Sequence, residues 1–290
     1  MATAIADRLE VIPSGAALGA DIRGIDLRQV DDTAFALIHK AWMDHKVLRF
    51  RGQDGLDDDA LAEFSRRFGE LDMAPTGRGG TPFQPDRPEV TVISNIVVGG
   101  KPIGGLGAGE AEWHSDMSYN DIPPDGSLLY GIEVPEGHGD TWFADMVAAA
   151  EALPSGLRAR IEGLRCKHDA TRNSTGALRV GYAEHYPDPE ERPGAVHPML
   201  RTHPETGRKA LFLGRRRNAH VMGLSPVESD RLLDDLWAFC TRPQFVWIQR
   251  WKRGDAVLWD NRCVLHRRDP FDPGLRRLMH RTQIRGTRPV

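Results

Sequence analysis

GDAVLWDNRCVLHRRDPFDPGLRRLMHRTQIRG, residues 254–286, decides the fold class. Residues 255–259 and 263–267 are short apolar runs separated by the turn sequence DNR. They read as two strands joined in a hairpin. Residues 276–285 read as a further extended or helical piece. Working back along the chain, the same texture recurs. LEVIPSGAALGADIRGIDL breaks into two short strands cut by Gly and Pro. VLRF (47–50), 89–98, 112–119, 127–134, 140–144, 196–203, 210–213 and 244–250 also carry strand signals.

Helical periodicity is confined to a few places. In DDTAFALIHKAWMDHK (31–46), Phe35, Ile38, Trp42 and Met43 recur at helical spacing behind capping aspartates. DDDALAEFSRRFG (57–69) places Leu61, Phe64 and Phe68 on one face, with Gly69 as the stop. Shorter helices are expected around 145–153 and 155–163. SPVESDRLLDDLWAFCTR (225–242) carries an N-cap Ser225, Pro226 at the first helical position and Glu228 three residues after the cap. Many strands with few helices predict a mainly β fold, a sandwich or jelly roll with helices outside. The 290 residues fit one β-rich domain. Residues 168–195 have no clear period and are polar and rich in Gly and Pro. An insert of that length is expected to act as a lid or binding loop. GGKPIGGLGAGE (99–110) lacks phosphate-loop order and reads as a mobile loop beside a site.

Composition narrows the function classes. Net charge is −3, with 40% hydrophobic and 27% charged residues. That balance gives no global attraction to nucleic acid or anionic membranes. No apolar run approaches the roughly 18–20 residues that span a bilayer. The first fifteen residues lack a basic segment followed by an apolar one, so no secretion signal is expected. The three cysteines are scattered and suit a reducing cytoplasm. Cys263 is expected to be a packing residue. GRRRNAH (214–220) is a basic cluster without interleaved aromatics, and reads as a solvated loop or oligomer contact.

The chemistry starts at EWHSDMSY (112–119). On a strand, His114 and Asp116 share a face and can chelate one ion. Composition alone yields about one or two HxD/E triplets by chance, and a solvated strand face is the ordinary reading. The other two triplets, His138/Asp140 and His203/Glu205, fall in turn sequences. A third ligand is available at His266. Two histidines and one carboxylate make the facial set of non-haem Fe(II) oxygenases, with zinc as the competing metal. Arg277 and Arg281 share a face on a strand or a helix. Two inward guanidiniums are costly unless anions meet them. A pocket with a metal and two anion clamps suits a dicarboxylate co-substrate and an anionic substrate.

At this point the chain resembles the taurine and 2,4-D type (TauD/TfdA) of Fe(II)/2-oxoglutarate-dependent dioxygenases. The matching marks are WHSD (113–116), GDTWF (139–143), WDNRCVLH (259–266) and RRLMHR (276–281), in family order. IPSGAALGADIRGIDL (12–27) and RFGEL (67–71) are also similar to the family's N-terminal region. The resemblance implies a distorted double-stranded β-helix, a cupin-like jelly roll. It implies that His114, Asp116 and His266 bind Fe(II), and that Arg277 and Thr141 hold 2-oxoglutarate. Arg281 would bind the substrate anion. It implies O2 as second co-substrate and hydroxylation coupled to oxidative decarboxylation of 2-oxoglutarate. A homo-oligomer (dimer, trimer or tetramer) is expected. DMAPTG (72–77) lacks a histidine and GEAE (109–112) lacks an asparagine where a taurine enzyme would carry amine-binding residues. LGRRRNAH and HRRDPFDP (266–273) look closer to the aryloxyalkanoate branch. An organic carboxylate is therefore the expected substrate, with a sulfonate or sulfate ester second. A non-catalytic iron and 2-oxoglutarate sensor and a zinc hydrolase are the alternatives from other classes.

Overall fold

A computed structural model describes residues 8–74 and 82–290. The first seven residues of the opening stretch, and residues 75–77 of DMAPTG, lie outside the described residues. Among the described residues, eight strands form a major sheet. Their order is Glu10–Pro13, Ala20–Arg23, Val47–Phe50, Ala256–Asp260, Gly126–Glu133, Leu278–Ile284, Thr91–Ser94 and Gly105–Leu106. Four more form a minor sheet in the order Val246–Gln249, Thr141–Asp145, Val264–Arg268 and Ala111–His114. From residue 246 onward the chain alternates minor, major, minor, major. That alternation between two packed sheets is a jelly roll.

The period of two explains the layering. Leu129, Val257, Trp259 and Met279 of the major sheet pack toward Phe143 and Val264 of the minor sheet. Their neighbours Leu128, Tyr130, Ala256 and Leu258 point the other way, onto Ile38, Trp42, Leu61 and Phe64. Those last four belong to helices Asp32–His45 and Asp58–Arg66, which cover the outer face. Each fully buried Leu, Ile or Phe contributes about 1.5–3 kcal/mol, so both faces of the major sheet are held. The caps follow the sequence. Asp31 accepts from the backbone of Ala34, Asp57 from Ala60, and Ser225 and Glu228 form a reciprocal capping box on Pro226–Cys240.

Three expectations need correction. Residues 255–259 and 263–267 are not a hairpin: Ala256–Asp260 lies in the major sheet and Val264–Arg268 in the minor one. The turn between them carries the chain across the barrel, because Asn261 is anchored elsewhere. Its backbone donates to Asp125 O, and its amide donates to Asp116 O and Pro124 O, both at 2.9 Å. The expected strand 112–119 stops at His114 and becomes a turn, with Met117 in the left-handed region at φ 47°. Residues 168–195 carry little regular structure but are not simply a surface loop: His168, Asp169, Thr171 and Ala195 are buried.

Candidate active site

The strand Ala111–His114 pairs with Val264–Arg268 so that His114 sits directly opposite His266. Their rings are 4.1 Å apart between centroids. The turn after His114 swings Asp116 back toward them. Its Oδ1 lies 3.6 Å from His114 Nε2 and 3.8 Å from His266 Nε2. All three residues are buried, and one donor atom from each falls within 4.8 Å of the others. The expected same-face geometry is therefore achieved by a turn, not by strand alternation.

The surroundings fix this donor set. His114 Nδ1 lies 2.7 Å from the carbonyl of Glu112 and donates to it, which leaves Nε2 as a lone pair facing the cluster. Ser127 Oγ donates to Asp116 Oδ2 at 2.9 Å. Asn261 accepts from the Asp116 backbone at 2.7 Å and donates to its carbonyl at 2.9 Å, clamping the turn from both sides. Behind His114, Ser115 N donates to Gly214 O. Gly214 has φ 67°, and a Cβ there would stand 2.2 Å from His168 Nδ1, so the position excludes a side chain. Burial opposes ionisation of Asp116, but the positive charge of Arg281, helped by His266 and His114, overrides it and holds the carboxyl well below its ordinary range. Burial, with His114 beside it, keeps the His266 imidazole neutral by pushing its pKa well down. A neutral imidazole and an ionised carboxylate are the metal-binding forms.

The two predicted arginines are both buried and differ in partner. Arg281 is 8% exposed and donates from one terminal nitrogen to both oxygens of Asp116 at 2.9 Å. Its other terminal nitrogen reaches Gln283 at 3.3 Å, and its Nε has no partner. Arg277 is 2% exposed, and its Nε is buried without a partner. No carboxylate of the described residues pairs with it, and burial, reinforced by Arg268, pushes its pKa down to about 9. Thr141 is buried, and its hydroxyl accepts from Trp251 Nε1 at 2.9 Å. The donor set fits a divalent metal of the iron type. The unpaired Arg277 guanidinium fits a carboxylate brought by a ligand.

Several residues of this region were not singled out as functional in the sequence. Ser127 carries no sequence signal. Asn261 sits in WDNR, where only its turn propensity is visible. Arg215, in the cluster expected to be solvated, is buried and bridges His114 across a β-bridge. Its neighbours Arg216 and Arg217 stay outside, on Asp230 and Asp234 and on Glu112. His203 does not share a face with Glu205: it bonds Asp260 Oδ2 at 2.9 Å, while Glu205 bonds Arg262. Cys263 is buried, as expected of a packing residue.

A jelly roll that brings two imidazoles and a carboxylate within reach of one ion, with Arg281 bonded to that carboxylate and Arg277 buried without an anion, suits a class of protein that takes a divalent metal and anionic organic ligands. The comparisons with known proteins give that class its family. The model described as "Taurine catabolism dioxygenase TauD, TfdA family" matches residues 10–283. The chain belongs to that family and is an Fe(II)- and 2-oxoglutarate-dependent oxidoreductase using O2. It is 33% identical to the (S)-phenoxypropionate/alpha-ketoglutarate-dioxygenase of Sphingobium herbicidovorans, over 96% of this chain and 95% of that one. It is 36% identical to the alpha-ketoglutarate-dependent 2,4-dichlorophenoxyacetate dioxygenase of Cupriavidus pinatubonensis, over 90% and 92%. It is 30% identical to an alpha-ketoglutarate-dependent sulfate ester dioxygenase of Pseudomonas putida, over 97% and 91%. The crystal structure of AAD-2 in complex with Mn(II) and N-oxalylglycine superposes with a TM-score of 0.77 at 30% identity, covering 97% and 98%. No helix of the described residues is long and apolar enough to cross a membrane.

Proposed function

We propose that this enzyme hydroxylates a small organic carboxylate of the aryloxyalkanoate kind, at the carbon bearing the ether oxygen, so that the product breaks at the ether bond. The observation that carries the reading is the pair Arg277 and Arg281: two buried guanidiniums four residues apart, Arg281 within the strand Leu278–Ile284 and Arg277 just before it. The names of the relatives at 33% and 36% identity support a carboxylate. The sulfate ester relative keeps a sulfate or sulfonate as the second reading.

In this reading the whole chain acts as one dioxygenase domain, with residues 168–195 beside the site. His114, Asp116 and His266 hold Fe(II). Bound iron, with 2-oxoglutarate and O2, supplies the oxidising chemistry that converts a C–H bond to C–OH while 2-oxoglutarate becomes succinate and carbon dioxide. The protein's part is positioning. His114 presents Nε2 because Glu112 O takes its other ring proton. Ser127 and Asn261 set the carboxylate of Asp116. Arg277 receives the distal carboxylate of 2-oxoglutarate by a two-pronged, charge-assisted contact, with Thr141 beside it. A divalent cation at Asp116 shares the charge that Arg281 neutralises alone. The Nε and second terminal nitrogen of Arg281 then serve the anionic group of the substrate.

The test is succinate release with Fe(II), 2-oxoglutarate, O2 and a panel of candidates. It comprises aryloxyacetates, both enantiomers of aryloxypropionates, taurine, longer alkylsulfonates and alkyl sulfates. Stimulation by aryloxyalkanoates with release of the phenol, lost in Arg281→Ala, is the expected result. Stimulation by sulfates or sulfonates alone would replace the first reading with the second.

A further inference from the structure

Arg268 is as buried as Arg277 and Arg281. It is 6% exposed and lies two residues after His266 on the same strand, so it projects from the same face. Across the strand pair it stands directly opposite Thr141. Directly opposed side chains on one face are near neighbours. Its guanidinium and that of Arg277 both lie near one ring, at 5.5 and 5.9 Å from the centroid of Phe271.

Two cations in one buried region repel each other, and neither pairs with a carboxylate among the described residues. Arg268 bonds only backbone oxygens, Leu106 O at 3.3 Å and Gly109 O. Its Nε is buried without a partner. A strut for the 105–109 segment needs a donor but not a second buried charge. An amide or hydroxyl would hold those carbonyls without the desolvation cost of a guanidinium. The spare charge and the spare donor lie across the strand pair from Thr141 and beside the Phe271 ring that Arg277 also approaches. A carboxylate has about four lone-pair sites and accommodates two guanidiniums.

We infer that Arg268 is a second cation for the distal carboxylate of 2-oxoglutarate, completing a Thr141–Arg268–Arg277 pocket and tying the Leu106–Gly109 segment to it. This rests on the proposed co-substrate role of Arg277. It makes Arg268 a specificity-determining residue for the dicarboxylate: a 2-oxo acid without the distal carboxylate gains nothing from it.

The experiment is calorimetric titration of 2-oxoglutarate into metal-loaded protein under nitrogen, for wild type, Arg268→Gln, Arg268→Lys and Arg277→Met. Gln keeps an amide for the backbone oxygens and removes the charge. Metal affinity and the melting curve are recorded for each. Arg268→Gln is expected to weaken 2-oxoglutarate by about 10- to 100-fold, the loss of one charge-assisted contact. Arg268→Lys, which retains the charge, should recover most of that loss, and metal affinity should not move. A merely structural residue would lose affinity equally in both variants, or would show reduced metal binding. The inference is overturned if Arg268→Gln binds 2-oxoglutarate within about twofold of wild type while Arg277→Met loses it. If Arg277→Met also binds normally, the co-substrate reading itself fails. Should Arg268→Gln not fold, Arg268→Ala is titrated beside Arg268→Lys in its place: loss in Ala recovered in Lys supports the inference, and affinity within about twofold of wild type in Ala overturns it.

Discussion

Replacing Arg277 with methionine should make the ligand-free protein more stable and the enzyme inactive. Burial, with Arg268 close by, pulls the Arg277 pKa from its ordinary 12.5 to about 9. At about 1.36 kcal/mol per tenfold change, that displacement corresponds to on the order of 4–5 kcal/mol against the charged form. The sign follows from the direction. A cation whose folded pKa is depressed is destabilising wherever it stays protonated, so the cost is present in full below about pH 9. Methionine keeps much of the stem volume and removes the charge. Pocket water offsets part of the difference, leaving an expected gain of about 1–3 kcal/mol, or about 2–8 °C in melting temperature for a chain of this size. The same change removes the partner of a buried carboxylate. It should weaken 2-oxoglutarate by about 2–5 kcal/mol, roughly 30- to 5000-fold in Kd. Melting curves without ligand and anaerobic calorimetry with 2-oxoglutarate read the two effects separately. A lowered melting temperature would refute the claim that Arg277 is an uncompensated charge. Unchanged affinity would refute its role in holding the co-substrate.

Asp116→Ala should behave in the opposite sense. It removes the carboxylate paired with buried Arg281, so the fold should lose about 3–5 kcal/mol, read by denaturant titration, and Fe(II) binding should disappear from calorimetry. Ser127→Ala deletes the 2.9 Å hydrogen bond to Asp116 Oδ2, and should lower metal affinity by about 10- to 100-fold without abolishing it. His197 holds the 118–120 backbone, with Nε2 at 2.9 and 3.0 Å from Ser118 O and Asn120 O, and burial depresses its pKa from 6.5 to about 4. Its contribution is complete above about pH 6.5 and is lost as pH falls toward 4, by about 3 kcal/mol. Melts of His197→Gln at pH 7.5 and 5 should therefore show a smaller acid loss than wild type; an equal loss would assign the acid sensitivity elsewhere.

The parts of this molecule that were legible in the sequence are those set by local chemistry. Capping aspartates and Ser225 mark helix starts because a cap bonds a backbone two or three residues away. His114, Asp116 and His266 stand out by residue type, and Arg277 and Arg281 by a spacing that shares a face in either regular structure. What escaped is set by distant parts of the chain. The DNR turn looks like a hairpin turn, and only the bonds of Asn261 to Asp116 and Pro124 reveal a crossing between sheets. The strand through Asp116 reads as continuous, but it ends at His114, and the turn that follows holds Met117 at a positive φ that no local residue preference announces. Arg215 and Arg268 carry the residue type of a solvated surface, and only the assembled barrel buries them.

If His114, Asp116 and His266 form an iron site for oxidative decarboxylation of 2-oxoglutarate, succinate formation depends on the metal, on O2 and on His266. The most direct measurement is succinate formed from 2-oxoglutarate by protein loaded with Fe(II) or Zn(II), with and without O2, beside His266→Ala. Succinate should appear only with Fe(II) and O2 together, and be lost in His266→Ala. Equal succinate from wild type and His266→Ala, or hydrolytic turnover of the substrate panel with Zn(II) and no O2, would contradict it.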